Sequence, residues 1–396
     1  MYLIKNGILV LEDRLQNACD LLISGDRIAR IAKEGEINPD GYRVIDASGS
    51  FIAPGFIDMH SDYIEHMASP RPSSVLDLKM ALREAEKQLI NQGITTMYHS
   101  LSLYKESIFT PKKIRTSESV KKLVELIEEL NHSVNLINHR FHARYEIDNV
   151  DEVPYLIAHL RDKRIHLLSF MDHTPGQGQY RDLETYKATV NGYCQLTECE
   201  LATHIAEAKN KEKLDLATIM HISKIAQENG VTLASHDDDS LAKLNLVKSL
   251  GTTISEFPVT MNIARGAKER GMFTVAGAPN VLLGGSHSGN LSAKEAIKEG
   301  CIDILCSDYY PASLLHAVFL LEQELGYGLA EFIKFITINP AKALGLSKDY
   351  GSLAEGKKAD LVIIAQGEDC LPMITSVWVD GQLVSQLHYS RRRVAV

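Results

Sequence analysis

The chain has 396 residues, 42 Lys and Arg against 51 Asp and Glu, a formal charge of −9 and 45% hydrophobic residues. That composition excludes a disordered, collagenous or membrane-embedded chain, and the acidic balance argues against nucleic acid or polybasic membrane contact as a function. No run approaches the roughly 18 apolar residues of a membrane-crossing helix. The start of the chain lacks a secretory pattern and the six Cys form no CxxC pair, so a reduced, cytoplasmic protein is expected. Fifteen His are the oddity in an otherwise ordinary acidic chain.

In chain order, residues 1–53 read as short strands: LIKNGILVL, ACDLLISGDRIARIA and YRVIDASGSFIA are apolar runs broken by turn signals. The end of the chain, 347–396, has the same style, with KKADLVIIAQ and ITSVWVDGQLV, the VDGQ stretch marking a hairpin. Neither end is long enough for its own core. The economical reading is one small composite β-sandwich built from both termini. Between them, over 54–346, short apolar runs alternate with stretches of helical period. Eight strands are predicted, at 54–60, 94–101, 134–146, 165–173, 231–237, 252–257, 272–278 and 302–308. Eight βα units over this length predict an α/β fold, a (β/α)8 TIM-like barrel. The segment near 182–228 is longer than one crossover needs and reads as a helical insertion.

The chemistry sits at the strand ends. His60 and Asp62 end strand one, Glu146 strand three, His173 strand four, His236 strand five and Asp308 strand eight. In a closed barrel these ends converge on one mouth. Imidazoles and carboxylates cannot share a partly buried cavity without compensating cations. The mixed nitrogen and oxygen set suits Zn, with Mn or Fe as alternatives, better than Ca or Mg. A carboxylate shared between two ions would make a two-metal site, so one or two divalent ions are expected. Asp237, Asp238 and Asp239 read equally as a helix N-cap cluster, at least one of them capping. His99 and His142 stay open between supporting the ligands and ordinary packing.

Several strings carry a resemblance. PGFIDMHSD (54–62), TINPAKALGL (337–346), GSLAEGKKADLVI (351–363) and the paired terminal segments resemble the amidohydrolase superfamily. HSDYIEHMASPRP (60–72), SFMDHTPGQGQY (169–180), ASHDDD (234–239), APNVLLGGSHSGNLSA (278–293) and CSDYYPASLLHAVF (306–319) resemble its phosphonate-metabolism branch. The resemblance runs from end to end. It implies hydrolysis of α-D-ribose 1-methylphosphonate 5-triphosphate to the 5-phosphate and pyrophosphate, beside the pathway enzymes of carbon–phosphorus bond cleavage. Two departures stand out. Strand one carries His60-x-Asp62 where the superfamily usually has a second His, and no Lys ends strand four, which leaves Glu146 as the bridging carboxylate. The superfamily's imidazole pair also comes from strands five and six, whereas His173 and His236 count to four and five.

Under that reading His236 and Asp308 are catalytic, Asp308 as general base. A phosphorylated sugar phosphonate needs local positive charge against the net −9. Arg71, Arg140, Arg144, Arg181 and His287 are the candidates, Arg being suited to bidentate phosphate contact. The loop from Gly284 to Asn290, with Gly285, Ser286, His287 and Ser288, reads as a backbone anion cradle after strand seven. Two other readings remain: a C–N hydrolase of the same superfamily, and a barrel kept as an assembly module. Six retained strand-end ligands argue against the module. A homo-oligomer is compatible with either enzyme.

Overall fold

The computed structural model describes residues 1–71, 74–103, 113–176, 186–187, 197–285 and 290–388. Two sheets organise them. The first takes β1 (Tyr2–Val10), β2 (Leu15–Ser24), β3 (Arg27–Lys33), β4 (Arg43–Asp46) and β5 (Phe51–Pro54) from the start of the chain. The second is made of β6 (Phe56–Ser61), β7 (Ile94–Leu103), β8 (Asn138–Glu146), β9 (Leu167–Met171), β10 (Thr232–His236), β11 (Ile254–Glu256), β12 (Phe273–Gly277) and β13 (Ile304–Cys306). The chain then returns to the first sheet with β14 (Leu361–Gln366), β15 (Pro372–Val379) and β16 (Gln382–Gln386).

The first sheet runs β16-β15-β14-β5-β1-β2-β3, with β4 beside β1. Its two sources join at β5 and β14, where Ala53 faces Val362 and Ile52 faces Ile363 in antiparallel register. Ile4, Leu21, Ile28, Ile52, Ile363 and Trp378 pack into one buried cluster on this sheet. The β15–β16 hairpin turns at Asp380 and Gly381, both with positive φ, as a two-residue Asp-Gly loop should. A Cβ at Gly381 would fall 2.0 Å from the Gly25 carbonyl oxygen, so the turn docks on the β2–β3 turn only as glycine.

The second sheet is parallel throughout, in the order β13-β12-β11-β10-β9-β8-β7-β6. Each of the eight predicted barrel strands is present. The third begins at Asn138 rather than 134, because its ladder with β7 starts at Thr96 and Asn138 and Val134 before it stands in solvent. Side chains alternate across the wall as a period of two requires. Tyr98, Leu167, Ala234, Ile254, Val275 and Ile304 belong to one buried cluster, and Ala234 and Ile254 share a face with His236 and Glu256 at the ends of their strands. Phe141, Ala143 and Tyr145 point outward into the core shared with the helices.

Those helices follow from capped, amphipathic stretches. Asp77 accepts from the Met80 N–H to start Leu78–Asn91, which buries Leu78, Ala81, Leu82, Ala85 and Leu89 along one face. Thr116 does the same for Ser117–Asn131, with Val120, Leu123, Ile127 and Leu130 buried. Truncating one such buried Leu to Ala removes about 2–5 kcal/mol of stability. In the expected insertion, the Glu198–Asn210 helix opens with a capping box at Thr197 and precedes the Leu216–Glu228 crossover helix that leads to β10.

The barrel closes between its first and last strands through a short seam. Ser61 and Asp308 form a parallel bridge. The Asp62 N–H donates to the Asp308 carbonyl at 2.8 Å, and the Asp308 N–H to the His60 carbonyl at 3.0 Å. This seam brings the first and last candidate ligands side by side. No helix among the described residues is long and apolar enough to cross a membrane.

Candidate metal centre

His60, His236 and Glu256 end the first, fifth and sixth barrel strands. They offer ligand atoms that all lie within 4.8 Å of one another, and all three residues are buried. With its hydrogen on Nδ1, His60 donates to Glu256 Oε1 at 2.9 Å and keeps Nε2 as a lone pair. His236 is held the same way, Nδ1 to Asp237 Oδ2 at 2.8 Å. A carboxylate behind each imidazole orients the ring, as around metal-bound His. Phe257 packs against both rings, with centroids at 5.0 and 5.1 Å, and excludes water from that side.

The decisive feature is what is missing. His236 Nε2 and Glu256 Oε2 are buried and have no hydrogen-bond partner among the described residues. Such orphans cost free energy unless something absent from the polypeptide satisfies them. Two orphan acceptors in one dry space, with a third donor beside them, fit a divalent cation, and two nitrogens with one carboxylate suit Zn, Mn or Fe.

A second pair lies on the β8–β9 side of the mouth. His173 Nδ1 meets Glu146 Oε1 at 2.5 Å. Burial would lower this imidazole, but the Glu146 charge and hydrogen bond outweigh it and raise it. Asp308 sits on the other side, with Asp62 joined to it through the seam. Burial, reinforced by the nearby Asp62 charge, pushes the Asp308 carboxyl up to about 7. Arg144 lies between these groups. Its charge acts on His60, His173 and Asp308, and its Nε is buried without a partner among the described residues. Arg115, which the sequence reading passed over, spans Glu65 and Asp62, 3.6 Å from the latter.

All six expected ligands therefore reach one mouth, and the strand count holds: His173 follows the fourth strand and His236 ends the fifth. Glu256 stands at the sixth strand's end, where the superfamily pattern would have a His. The sequence reading missed it, although TTISEF shows the signal that found His60, an apolar run ending in a polar residue. The capping expectation is corrected: Ser240 caps the Leu241–Ser249 helix. The Asp237 carboxylate instead meets the His236 ring at Nδ1, and Asp238 accepts from the Ser235 and Ser255 hydroxyls at 2.5 Å each. Nor does Asp308 cap a helix, since Ser313–Leu325 starts from Ala312.

The anion-binding candidates divide. Arg144 is at the centre. Gly285 lines a cavity of about 140 Å³ that opens beside His236, Asp237 and Asp308. Arg140 must be withdrawn from the mouth. It lies two residues into β8, at the opposite end of the barrel, where its charge acts on Tyr98, His166 and Tyr350. The period of two puts it on the same face as Arg144, but four residues lower. Arg71 is exposed, in an isolated bridge to Ser74 after the Tyr63–Ala68 helix. Arg181, Ser286, His287 and Ser288 lie outside the described residues. His142 is buried beneath the centre, Nδ1 on Ser100 Oγ at 3.0 Å, Nε2 on Ser169 Oγ at 2.6 Å and 3.7 Å from Glu256 Oε2. His99 instead points outward through the wall to His139, which in turn meets Glu86.

A (β/α)8 barrel with this donor set at its C-terminal mouth belongs to the class that builds hydrolytic sites from strand ends. The amidohydrolase family matches residues 51–384, and the chain belongs to it. It is 33% identical to the alpha-D-ribose 1-methylphosphonate 5-triphosphate diphosphatase of Escherichia coli, over 96% of this chain and 100% of that one. It is also 24% identical to the 5-methylthioadenosine/S-adenosylhomocysteine deaminase of Thermococcus onnurineus, over 98% and 89% of the two chains. Among solved structures, a D-hydantoinase superposes with a TM-score of 0.65 at 17% identity, covering 97% of this chain and 95% of its own.

Proposed function

We propose that the chain is a divalent-metal-dependent hydrolase that converts α-D-ribose 1-methylphosphonate 5-triphosphate to the 5-phosphate and pyrophosphate. The observation that carries the metal part is the pair of orphaned acceptors, His236 Nε2 and Glu256 Oε2, beside His60. The substrate part rests on the full-length likeness to the E. coli diphosphatase. His60, His236 and Glu256 would hold one ion, with Asp62, Glu146, His173 and Asp308 available to a second. A bound ion supplies charge neutralisation and a lowered water pKa.

The chain's own residues do the rest. Asp308, whose carboxyl is raised by burial, accepts the proton of the water that attacks the α-phosphorus, and the oxygen leading to the β-phosphorus departs with pyrophosphate. Arg144 offers an unpaired N–H to a phosphate oxygen. Gly285, with Ser286, His287 and Ser288, contributes further phosphate contacts, as do Arg71 and Arg181. The reading includes a cytoplasmic location alongside enzymes of carbon–phosphorus bond cleavage.

The 24% identity to a deaminase favours a second reading, hydrolysis of a C–N bond by the same donor set. Phosphorus NMR of Zn-loaded protein with the ribosyl triphosphate separates the two. Release of pyrophosphate supports the diphosphatase. Orthophosphate alone, or no turnover while a cyclic amide is opened, would overturn it.

A further inference from the structure

The motif that ends in His60 and Asp62 contains a third polar residue, Asp58, that this chemistry does not use. Asp58 is fully buried on β6. One carboxylate oxygen, Oδ1, accepts two backbone N–H groups, from Ser307 at 3.1 Å and from His60 at 3.4 Å. The other, Oδ2, is buried with no hydrogen-bond partner among the described residues. A buried carboxylate costs several kcal/mol against an apolar residue of the same size, so packing alone gives no reason for it.

Its two donors explain it. Ser307 precedes Asp308, and the His60 amide is that of a ligand. They stand on opposite sides of the barrel's closing seam, where Ser61 and Asp308 form a lone bridge. Asp308 has φ of 58°, a left-handed conformation that costs a non-glycine residue about 1–2 kcal/mol and must be held from outside. The holders are all at the seam: Asp62 N–H and Ser61 Oγ on the Asp308 carbonyl, the His60 carbonyl on the Asp308 N–H, and Ser307 Oγ against Ser61 Oγ at 2.9 Å.

We propose that Asp58 is a positioning residue: its carboxylate replaces the missing ladder between β6 and β13 and so sets the angle at which His60 and Asp308 face each other. The inference rests on the proposed hydrolytic site, and its test has a readout that does not depend on the substrate. In Asp58→Ala both N–H groups lose their acceptor. Asp58→Asn keeps a carbonyl oxygen for them.

The measurements are steady-state hydrolysis of the ribosyl triphosphate and a Co(II) titration followed by visible absorption. Asp58→Ala should lower kcat about 30–100-fold with KM within about twofold, and weaken Co(II) binding by a similar factor, the range seen when groups behind metal ligands are lost. Asp58→Asn should restore both to within about threefold of wild type. Ser307→Ala removes only the seam's hydroxyl contact and keeps the core intact. It should lower kcat about fivefold with KM unchanged, but it leaves the Ser307 N–H on Asp58; Asp58→Leu, which removes the acceptor and fills its space, should match Asp58→Ala and carries the test if that variant does not fold. An Asp58→Ala protein that melts earlier but keeps kcat and the Co(II) spectrum would overturn the proposal. So would Asp58→Asn as impaired as Asp58→Ala, or Asp58→Leu unchanged in both readouts. A wild type that releases no pyrophosphate sinks the proposed reaction, yet the Co(II) titration still decides Asp58.

Discussion

The two ends of the barrel both bury carboxylates, and they treat them in opposite ways. At the N-terminal end, against the composite sheet, Asp360 is almost fully buried with each oxygen engaged. The Asp380 N–H donates to Oδ1 at 2.7 Å and Asn138 Nδ2 to Oδ2 at 3.1 Å. Lys358 beside it bridges Asp26 and Asp380. At the C-terminal mouth, Glu256 Oε2, His236 Nε2, Arg144 Nε and Asp58 Oδ2 are buried without such partners. Satisfied polar groups join the sheet to the barrel; unsatisfied ones wait for a ligand or hold strain near it. The same chemistry, a carboxylate out of water, is architecture at one end and a site at the other.

The comparison breaks first at Glu256. Glu256→Ala should abolish turnover and strip the metal found by elemental analysis, while the melting temperature of metal-free protein stays level or rises, because an uncompensated buried charge is gone. Added Zn should raise the melting temperature of wild type but not of this variant, since only a ligand bound to the folded state stabilises it. A variant that keeps its metal would make Glu256 a structural residue like Asp360.

Asp308→Asn is expected to retain metal yet lose about 10²–10⁴-fold in kcat, the worth of a positioned general base. Retained activity would remove Asp308 from proton transfer. Arg144→Ala should raise KM for the triphosphate about tenfold or more and change the affinity for the monophosphate product less, as loss of a charge-assisted phosphate contact predicts. Equal changes would make Arg144 a packing residue.

The smallest effect concerns the satisfied end. Burial raises the Asp360 carboxyl to about 7, against about 4 in an unfolded chain. The folded state therefore favours the neutral acid: the stability this group contributes is present near pH 4, declines as pH rises to about 7 and is flat above. The unfolding free energy from urea titrations should fall between pH 5 and pH 8 by about 1–3 kcal/mol in wild type and by less in Asp360→Asn. An unchanged pH slope in the variant would show that the Lys358 cluster, not Asp360, governs this end.

By itself the sequence determined the architecture and the sides of the strands. Period-two and helical-period runs named eight barrel strands and the terminal segments that pair as β5 and β14, because burial against one core imposes those periods locally. It also put His60, Asp62, Glu146, His173, His236 and Asp308 at strand ends, since an apolar run that stops at a His or an acid is visible without any partner. What it could not show is height along the barrel and who faces whom. Arg140 and Arg144 share a face and look alike in the chain, but four residues of rise set them at opposite ends. Glu256 looked like the tail of an ordinary short strand, and Asp58 like part of an apolar run. Their roles come from His60, Ser307 and His236, brought in from 20 to about 250 residues away by barrel closure. Hydrogen bonds that are made, and those left unmade, depend on that three-dimensional neighbourhood, so only the tertiary structure decided which buried charges are cement and which are a site.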